Sequence, residues 1–551
     1  MKNYIYISAI AAASLFNTSC DDFLSTVPKD SLSPEITWKT EADAEKFLIG
    51  CYSGWMDDIT LNFYTDCGSD IGFNFHIHEG WRYIGNGNMT ASNETASFYS
   101  FNKIRNCNDF LAHIAEVPFA DETTKNDMIA QVKVIRAWQY FIMNWYYGGV
   151  PLIDSYETAE EAQVPRNTEE EVKKFIYDEL DTAIPSLSAG TVDGGTINQG
   201  VALAIKMRSA LYYGDYERAK QAALDIKKLG LYDLEDTTPD HSIKNYKKLF
   251  LTEGQGSKEV ILAIQHDQNL ISNWIIGALY NNADNGWSSS VPTQNLVNMY
   301  EMETGLTKEE AGNDYDPTHP FANRDPRMAA TILYPGMDWK TLEGEPTIIN
   351  TLDKTINGKE NKNATGEDNV SKTGLSWAKY LGDGPTYYPD MFNANAHTIM
   401  FRYAEVMLTY AEAENELNGP SENVYKVLNR IRNRAEMPDV DRAKYNTQTT
   451  LRELIRRERT IELAGEGFRR ADILRWKDES GKMLAFKVLN GPLTRITGTI
   501  NYEETDPEKR AVIAPETEVI ENRTFQEHNR YLPIPQDARD KNPKLEQNPG
   551  Y

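Results

Sequence analysis

The chain has 551 residues and a formal net charge of −25, from 82 Asp and Glu against 57 Lys and Arg; a field of that sign repels polyanions and argues against nucleic acid and anionic membrane surfaces as partners. Its four cysteines show neither Cys-x-x-Cys nor Cys/His ligand spacing, so no zinc site and no disulfide framework is implied. Such a length can bury one large core or two modest ones, and 11% aromatic content, with 30 Tyr and 10 Trp, is more than a plain scaffold needs.

The N-terminus reads as an address. Lys2 precedes an apolar run over residues 4–16, too short to span a bilayer. Asn17, Thr18 and Ser19 then lead into Cys20, as small residues do where a bacterial lipoprotein signal ends. Residues 1–19 are therefore expected to be a signal peptide, with Cys20 acylated to give a durable membrane anchor. Asn17 stands where such signals usually carry Leu. A plain cleaved secretory signal is the alternative. If Cys20 is consumed, Cys51, Cys67 and Cys107 remain, an odd number.

Residues 25–34 read as an extended leader and 42–55 as a helix. Residues 62–89 are rich in aromatics, Gly and Asn without a sustained period, which predicts loop and short strand displaying side chains. His76 and His78 alternate as on a strand, but only Glu79 is near them, so ordinary histidines are expected rather than a metal site. Helices are predicted over 98–114 and 124–147, with Trp138, Phe141 and Trp145 as core. A capping box from Thr168 to Glu171 opens a helix over 169–187 with Val172, Phe175, Ile176 and Leu180 inward. Residues 199–229 read as helix–turn–helix cornered at Gly214-Asp215-Tyr216, and their small packing residues resemble a tetratricopeptide repeat.

Residues 232–400 break the helical pattern. The run KEVILAIQ from Lys258 is a candidate buried strand. Around it Trp274, Tyr280, Trp287, Trp339, Trp377, Tyr387 and Tyr388 fall outside any helical period. Amphipathic stripes then return. Val406, Tyr410, Ala413 and Leu417 form one, and Val424, Val427, Leu428, Ile431 and Ala435 form the next. A capping box from Thr450 to Glu453 is expected to open a third, with Leu451, Leu454 and Ile455 inward. Glu458, Glu462 and Glu466 would share a face if that helix continues. A carboxylate pair for glycoside chemistry needs one carboxyl kept protonated, whereas Arg456, Arg457, Arg459, Arg469, Arg470 and Arg475 crowd this stretch. Opposite charge favours the ionised form, so a structural Arg–Glu lattice is the expectation.

RYAEVMLTYAEAENELNG, LNRIRNRA and LRELIRRERTIELAGEGFRRADILRW, together with the opening DDFLSTVPKDSLSPEITWKTEADAEKFLIGCYSGW and the closing YLPIPQDARDKNPKLEQNPGY, resemble the SusD/RagB family of surface glycan-binding lipoproteins of Bacteroidetes. The runs from Pro292 and Arg324 match further landmarks, so the resemblance covers the whole chain and is densest at its termini. It implies a mainly α protein, in which tetratricopeptide-like helix pairs form a scaffold beside a loop-rich ligand region with few short strands. In these terms residues 20–551 make one domain, with scaffold at 40–232 and 398–480 and ligand region at 233–397 plus the loop 60–90. It also implies a non-catalytic receptor on the outer-membrane surface that hands oligosaccharide to a SusC-like TonB-dependent transporter, with no cofactor.

A flat aromatic matches the C–H face of a sugar, and Asn, Asp or Arg matches its hydroxyl rim. The resemblance places the glycan between a loop after the first helix and loops before the Pro292 run. Trp81, Tyr83, Trp274, Tyr280 and Trp287 stand there as candidate rings, and Asp66, Asn86, Asn88 and Asn282 as candidate hydroxyl readers. The acidic charge leans toward a neutral glycan. The alternatives are a helical glycoside hydrolase, for which Asp57, Asp58, Asp66, Asp70 and Glu79 are raw material, and a homologue that binds peptide or another nutrient.

Overall fold

The computed structural model describes residues 38–56, 62–93, 96–155, 158, 160–190, 195–236, 242–365 and 368–551. The signal, Cys20, the leader, Asp57 and Asp58 lie outside the described residues.

The fold is mainly α. Helix α1 (Glu41–Tyr52) opens at a capping box between Thr40 and Asp43. Helices α2 (Asn102–His113) and α3 (Glu122–Tyr147) follow, and Trp138, Phe141 and Trp145 on α3 are buried as their spacing predicts. The Thr168–Glu171 box opens α4 (Glu169–Ala183). Helices α5 (Gln199–Tyr212) and α6 (Tyr216–Leu229) form the tetratricopeptide-like pair, with Asp215 capping the second.

After the irregular middle come α7 (Tyr403–Asn418), α8 (Glu422–Arg434), α9 (Gln448–Glu462) and α10 (Arg469–Arg475). Helix α6 packs on α7, which packs on α8 and α9. The two scaffold segments are thus one stack in space although the sequence separates them. Two expectations shift. The box that opens α9 pairs Thr447 with Thr450, because the Thr450 hydroxyl accepts the Thr447 N–H at 3.2 Å as a Glu carboxylate would have done. Helix α9 also stops at Glu462, ahead of Gly465 and Gly467 at φ +79° and +83°, so Glu466 comes from the following turn rather than from the helix face.

The strands β1 (Gly72–Asn74), β2 (Val260–Ile264), β3 (Ser290–Pro292) and β4 (Thr398–Arg402) are short. Antiparallel pairing of β2 with β4 closes the base of the irregular segment between them. A longer hairpin, β5 (Gly491–Ile500) with β6 (Ala511–Arg523), follows the helices; nothing in the sequence reading anticipated it.

The charge run is a buried lattice. Arg402 reaches Glu259, Glu462 and Glu466, each at 2.7 Å. Arg434 meets Glu259 at 3.1 Å and also Glu462. Arg327 pairs with Asp325 at 2.7 Å, with Glu462 at 3.1 Å and with Glu458. Arg432 joins Glu458 at 3.1 Å to Glu301 at 2.9 Å. Burial works to raise the Glu462 carboxyl, but Arg434, Arg402 and Arg327 together outweigh it and hold it well below the usual range. Arginines hold Glu458, Glu462 and Glu466 alike below the usual carboxylate range against burial, and all three are engaged in ion pairs, which removes them as a glycosidase pair.

Removing one partner of a buried ion set strands the others. Arg402→Met is expected to lower the unfolding free energy by about 3–5 kcal/mol, read from urea denaturation. On α7, Glu412 is pulled from an ordinary 4.5 down to about 2; burial opposes the shift and Arg475 drives it. A carboxyl lowered on folding adds stability above its unfolded value and loses it as pH falls toward the folded one. Stability should therefore drop between about pH 4.5 and pH 2, and the drop should be shallower in Glu412→Gln when thermal midpoints are followed across that window.

Candidate functional site

The two loops singled out in the sequence meet. Strands β1 and β3 pair antiparallel, Gly72 opposite Pro292 and Asn74 opposite Ser290. Gly72 is needed there, since a Cβ would come within 2.6 Å of the Asp66 backbone. The loop is more ordered than its composition predicts, with short helices at Phe63–Cys67 and Trp81–Asn86.

Asp66 is not a ligand reader. It is fully buried and accepts the backbone N–H groups of Gly465 at 2.8 Å, Gly467 at 3.2 Å and Arg469 at 3.1 Å. Burial pushes its carboxyl up to about 7, and those donors pull the other way. Asp70 beside it holds Arg469 with two contacts of 2.8 Å. Together they pin the root of the loop to the turn between α9 and α10.

Trp81 is 0% exposed and packs edge-on to Phe98 at 6.0 Å. It has no open face for a sugar, because the short helix it begins turns it into the core. Tyr83 is half-buried against the same core. Asn86 is buried and accepts the Asn88 N–H at 3.1 Å, while Asn88 is exposed. Tyr280 is buried, with its hydroxyl donating to Leu381 O at 2.6 Å and Gly384 O at 3.0 Å. Asn282 donates to Lys362 O at 2.8 Å. Of these predicted rings and readers, Trp81, Tyr280, Asp66 and Asn86 are thus structural, spent on packing or on the protein's own backbone.

Trp274 and Trp287 behave otherwise. Each is 37% exposed, and their rings lie 5.9 Å apart with planes inclined at 49°. Phe392 extends the pair, 4.8 Å from Trp287 and inclined at 39°. The three rings come from two distant stretches of chain held by backbone bonds. Trp287 N–H donates to Gly277 O at 3.2 Å, Ser289 N–H to Ala278 O at 3.0 Å, and Asn273 N–H to Ala394 O at 2.8 Å. The amides of Asn269 and Asn393 tie the same stretches, at 2.9 Å. A Cβ on Gly277 would sit 2.3 Å from the Phe392 ring, so that glycine makes room for it. Leu270 and Ile271, 82% and 66% exposed, precede Trp274 in the chain, on a turn closed by the Asp267–Ile271 bridge. Phe392 escaped the sequence reading because a lone Phe in an Asn-rich loop belongs to no periodic pattern.

Glu79 accepts the Tyr64 hydroxyl at 2.9 Å and an amide N–H of Asn74. Among the described residues no group of three or more His, Cys, Asp or Glu side chains could hold a metal, and no helix is long and apolar enough to cross a membrane. Between α6, α7 and α8 lies a groove of about 330 Å³, floored by Val406, Met407 and Val427 and edged by Lys227, Lys426 and Arg430.

Residues 258–551 match the family model described as the SusD family. A SusD-like protein of Formosa agariphila, P38, is 26% identical over 484 residues, covering 83% of this chain and 88% of that one. A SusD-like carbohydrate-binding protein of Bacteroides fragilis superposes with a TM-score of 0.77 at 27% identity, covering 93% of this chain and 100% of that one. Surface glycan-binding protein A of Bacteroides fluxus shares the fold, with a TM-score of 0.65 at 20% identity over 93% of this chain and 100% of its own.

Proposed function

The chain belongs to the SusD family, and we propose that it is a non-catalytic, surface-exposed lipoprotein that captures oligosaccharide on the ring platform and delivers it to a SusC-like TonB-dependent outer-membrane transporter. The observation that carries this reading is the open pair Trp274 and Trp287, continued by Phe392. A stacked sugar ring that removes roughly 100 Å² of apolar surface from water gains ~2.5 kcal/mol at ~25 cal/mol per Å². Association costs roughly 4–15 kcal/mol, so two or three rings reach weak affinity. Acylation at Cys20 concentrates such receptors on a surface, and a polymer with repeated units turns weak contacts into avidity.

A second reading has one observation behind it. The groove between α6, α7 and α8, apolar below and basic at its edge, is where a peptide would lie on the helical stack. Peptide bound there would be indifferent to the rings.

The test is affinity electrophoresis and calorimetry against starch, laminarin, xyloglucan and galactomannan, with pectin and alginate as anionic members. Trp274→Ala and Trp287→Ala should each weaken binding at least tenfold, while Trp81→Phe should leave affinity unchanged and lower stability. Binding that survives both ring truncations moves the ligand to the groove, and release of reducing ends by pure protein contradicts a non-catalytic role. Separately, Cys20→Ala should move the protein from the detergent to the aqueous phase in detergent phase separation, whereas unchanged partitioning would remove the anchor from the account.

A further inference from the structure

Cys51, Cys67 and Cys107 are buried free thiols, and their spacing in the sequence implied no disulfide framework. Their surroundings sort them differently. Cys67 sits between a hydroxyl and a carbonyl, its sulfur 3.1 Å from Ser290 Oγ and 3.5 Å from Phe63 O. Burial pushes its thiol up to about 12. Those partners satisfy Cys67 as a thiol.

Cys51 and Cys107 meet each other. Cys51 lies in the last turn of α1 and Cys107 in the middle of α2, 2% and 0% exposed. The two helices pack together, and contacts along their seam fix the register. At one end Trp38 stacks on Phe47 of α1, at 4.0 Å, and on His113 of α2, at 5.4 Å. At the other end Lys103 Nζ donates to Ser53 O. Between them Cys51 Sγ donates to Asn106 O at 3.6 Å. Residue numbers rise along α1 as they fall along α2, so the helices run antiparallel and Cys107 comes opposite Cys51. The two thiols share a hydrogen bond, and that contact chiefly lowers the Cys51 thiol and raises that of Cys107.

We propose that Cys51 and Cys107 are a disulfide site, closed by thiol–disulfide exchange once the chain is exported, so that α1 is stapled to α2. The proposal borrows the surface location from the reading above and none of its glycan chemistry. The oxidant is a disulfide, small or protein-borne. One cysteine of the pair, as its thiolate, attacks a sulfur of that disulfide, forming a mixed disulfide and expelling one thiolate. The second cysteine, as its thiolate, then attacks its neighbour's sulfur and expels the other. The protein gives up two protons and two electrons, and the oxidant leaves as two thiols. The exchange belongs to the folding chain, before the seam between the helices closes over the pair. Afterwards burial keeps reductants out. The stretch between the two cysteines holds β1 and the residues Asp66 and Asp70 that anchor it. Closing a loop of that length leaves the unfolded chain fewer conformations and so favours the fold.

The test begins with protein isolated from cell envelopes in an alkylating agent that blocks free thiols, then denatured and mapped by mass spectrometry at the three cysteines. Cys67 alone should be alkylated, with the Cys51 and Cys107 peptides joined. The same protein, reduced in urea and refolded with oxidised glutathione, should close the same bond and melt several degrees above its reduced form. Cys51→Ala and Cys107→Ala should each abolish that rise; the comparison of reduced with oxidised wild type stands even where a variant fails to fold. A bond to Cys67, or glutathione adducts in place of the bond, overturns the pairing. So do three free thiols in both preparations. Three free thiols from the envelope, with the bond closing on refolding, overturn the exported setting and leave the match of the two thiols intact.

Discussion

Three guanidinium groups surround the Glu462 carboxylate, and the rest of the fold depends on their meeting there. Arg327 comes from the irregular middle, Arg402 from β4 and Arg434 from α8. Arg402 also reaches Glu259, just ahead of β2, so both ends of the segment closed by the β2–β4 pairing converge on one node. A charge taken out of water is tolerable only when its partners are in place. Apolar contact is indifferent to direction and allows a segment to slide. A fork of guanidinium N–H groups matched to carboxylate oxygens does not. The middle of the chain has few periodic elements to set its register, and the lattice sets it instead. Lys379 takes part from the same segment: it holds Glu466 at 2.7 Å, and burial depresses its amine to about 8.

The lattice reaches the candidate site in two steps. Glu466 lies within the turn whose N–H groups at Gly465, Gly467 and Arg469 close on Asp66. Asp66 and Asp70 hold the loop that becomes β1, and β1 pairs with β3 immediately after Trp287. The rings stand on loops that carry little regular structure of their own, yet their footing runs through buried charge to the helical stack. This is how a loop-borne site acquires fixed geometry without a sheet or helix beneath it.

The helices were legible because their apolar spacing and caps are local signals; Thr168 with Glu171, and the stripe from Val172 to Leu180, needed no tertiary information. The lattice was legible because so many arginines among glutamates have no other stable arrangement. The hairpin of β5 and β6 was not legible. Its faces are mostly exposed or half-exposed, so the alternation that marks a half-buried strand is weak. Within the candidate site, which rings stay exposed was not legible. The loop before the Pro292 run keeps Trp274 and Trp287 exposed, whereas Trp81, placed on display by the position the resemblance implies, is turned inward by its short helix. Phe392 has no pattern at all and joins the platform through bonds across more than a hundred residues of chain, Asn273 to Ala394 and Asn393 to Asn269.

The fates of Trp81 and Trp287 turn on what the adjoining backbone binds. Trp81 follows Gly80 at φ +81° and starts a helical turn, which swings the ring toward Phe98. Trp287 lies between Gly286 and Ser288, in a stretch whose N–H groups donate outward to the chain around Ala278 and Tyr280. That stretch is pressed against its neighbours by its backbone, so the indole has only the solvent side left to it. Exposing an indole forgoes the burial that helps hold other parts of the fold together. A second exposed indole 5.9 Å away and a phenyl ring beyond it make the loss systematic rather than incidental. Surface that stays dry only when something else covers it is what a receptor for a ring-shaped, partly apolar ligand has to present.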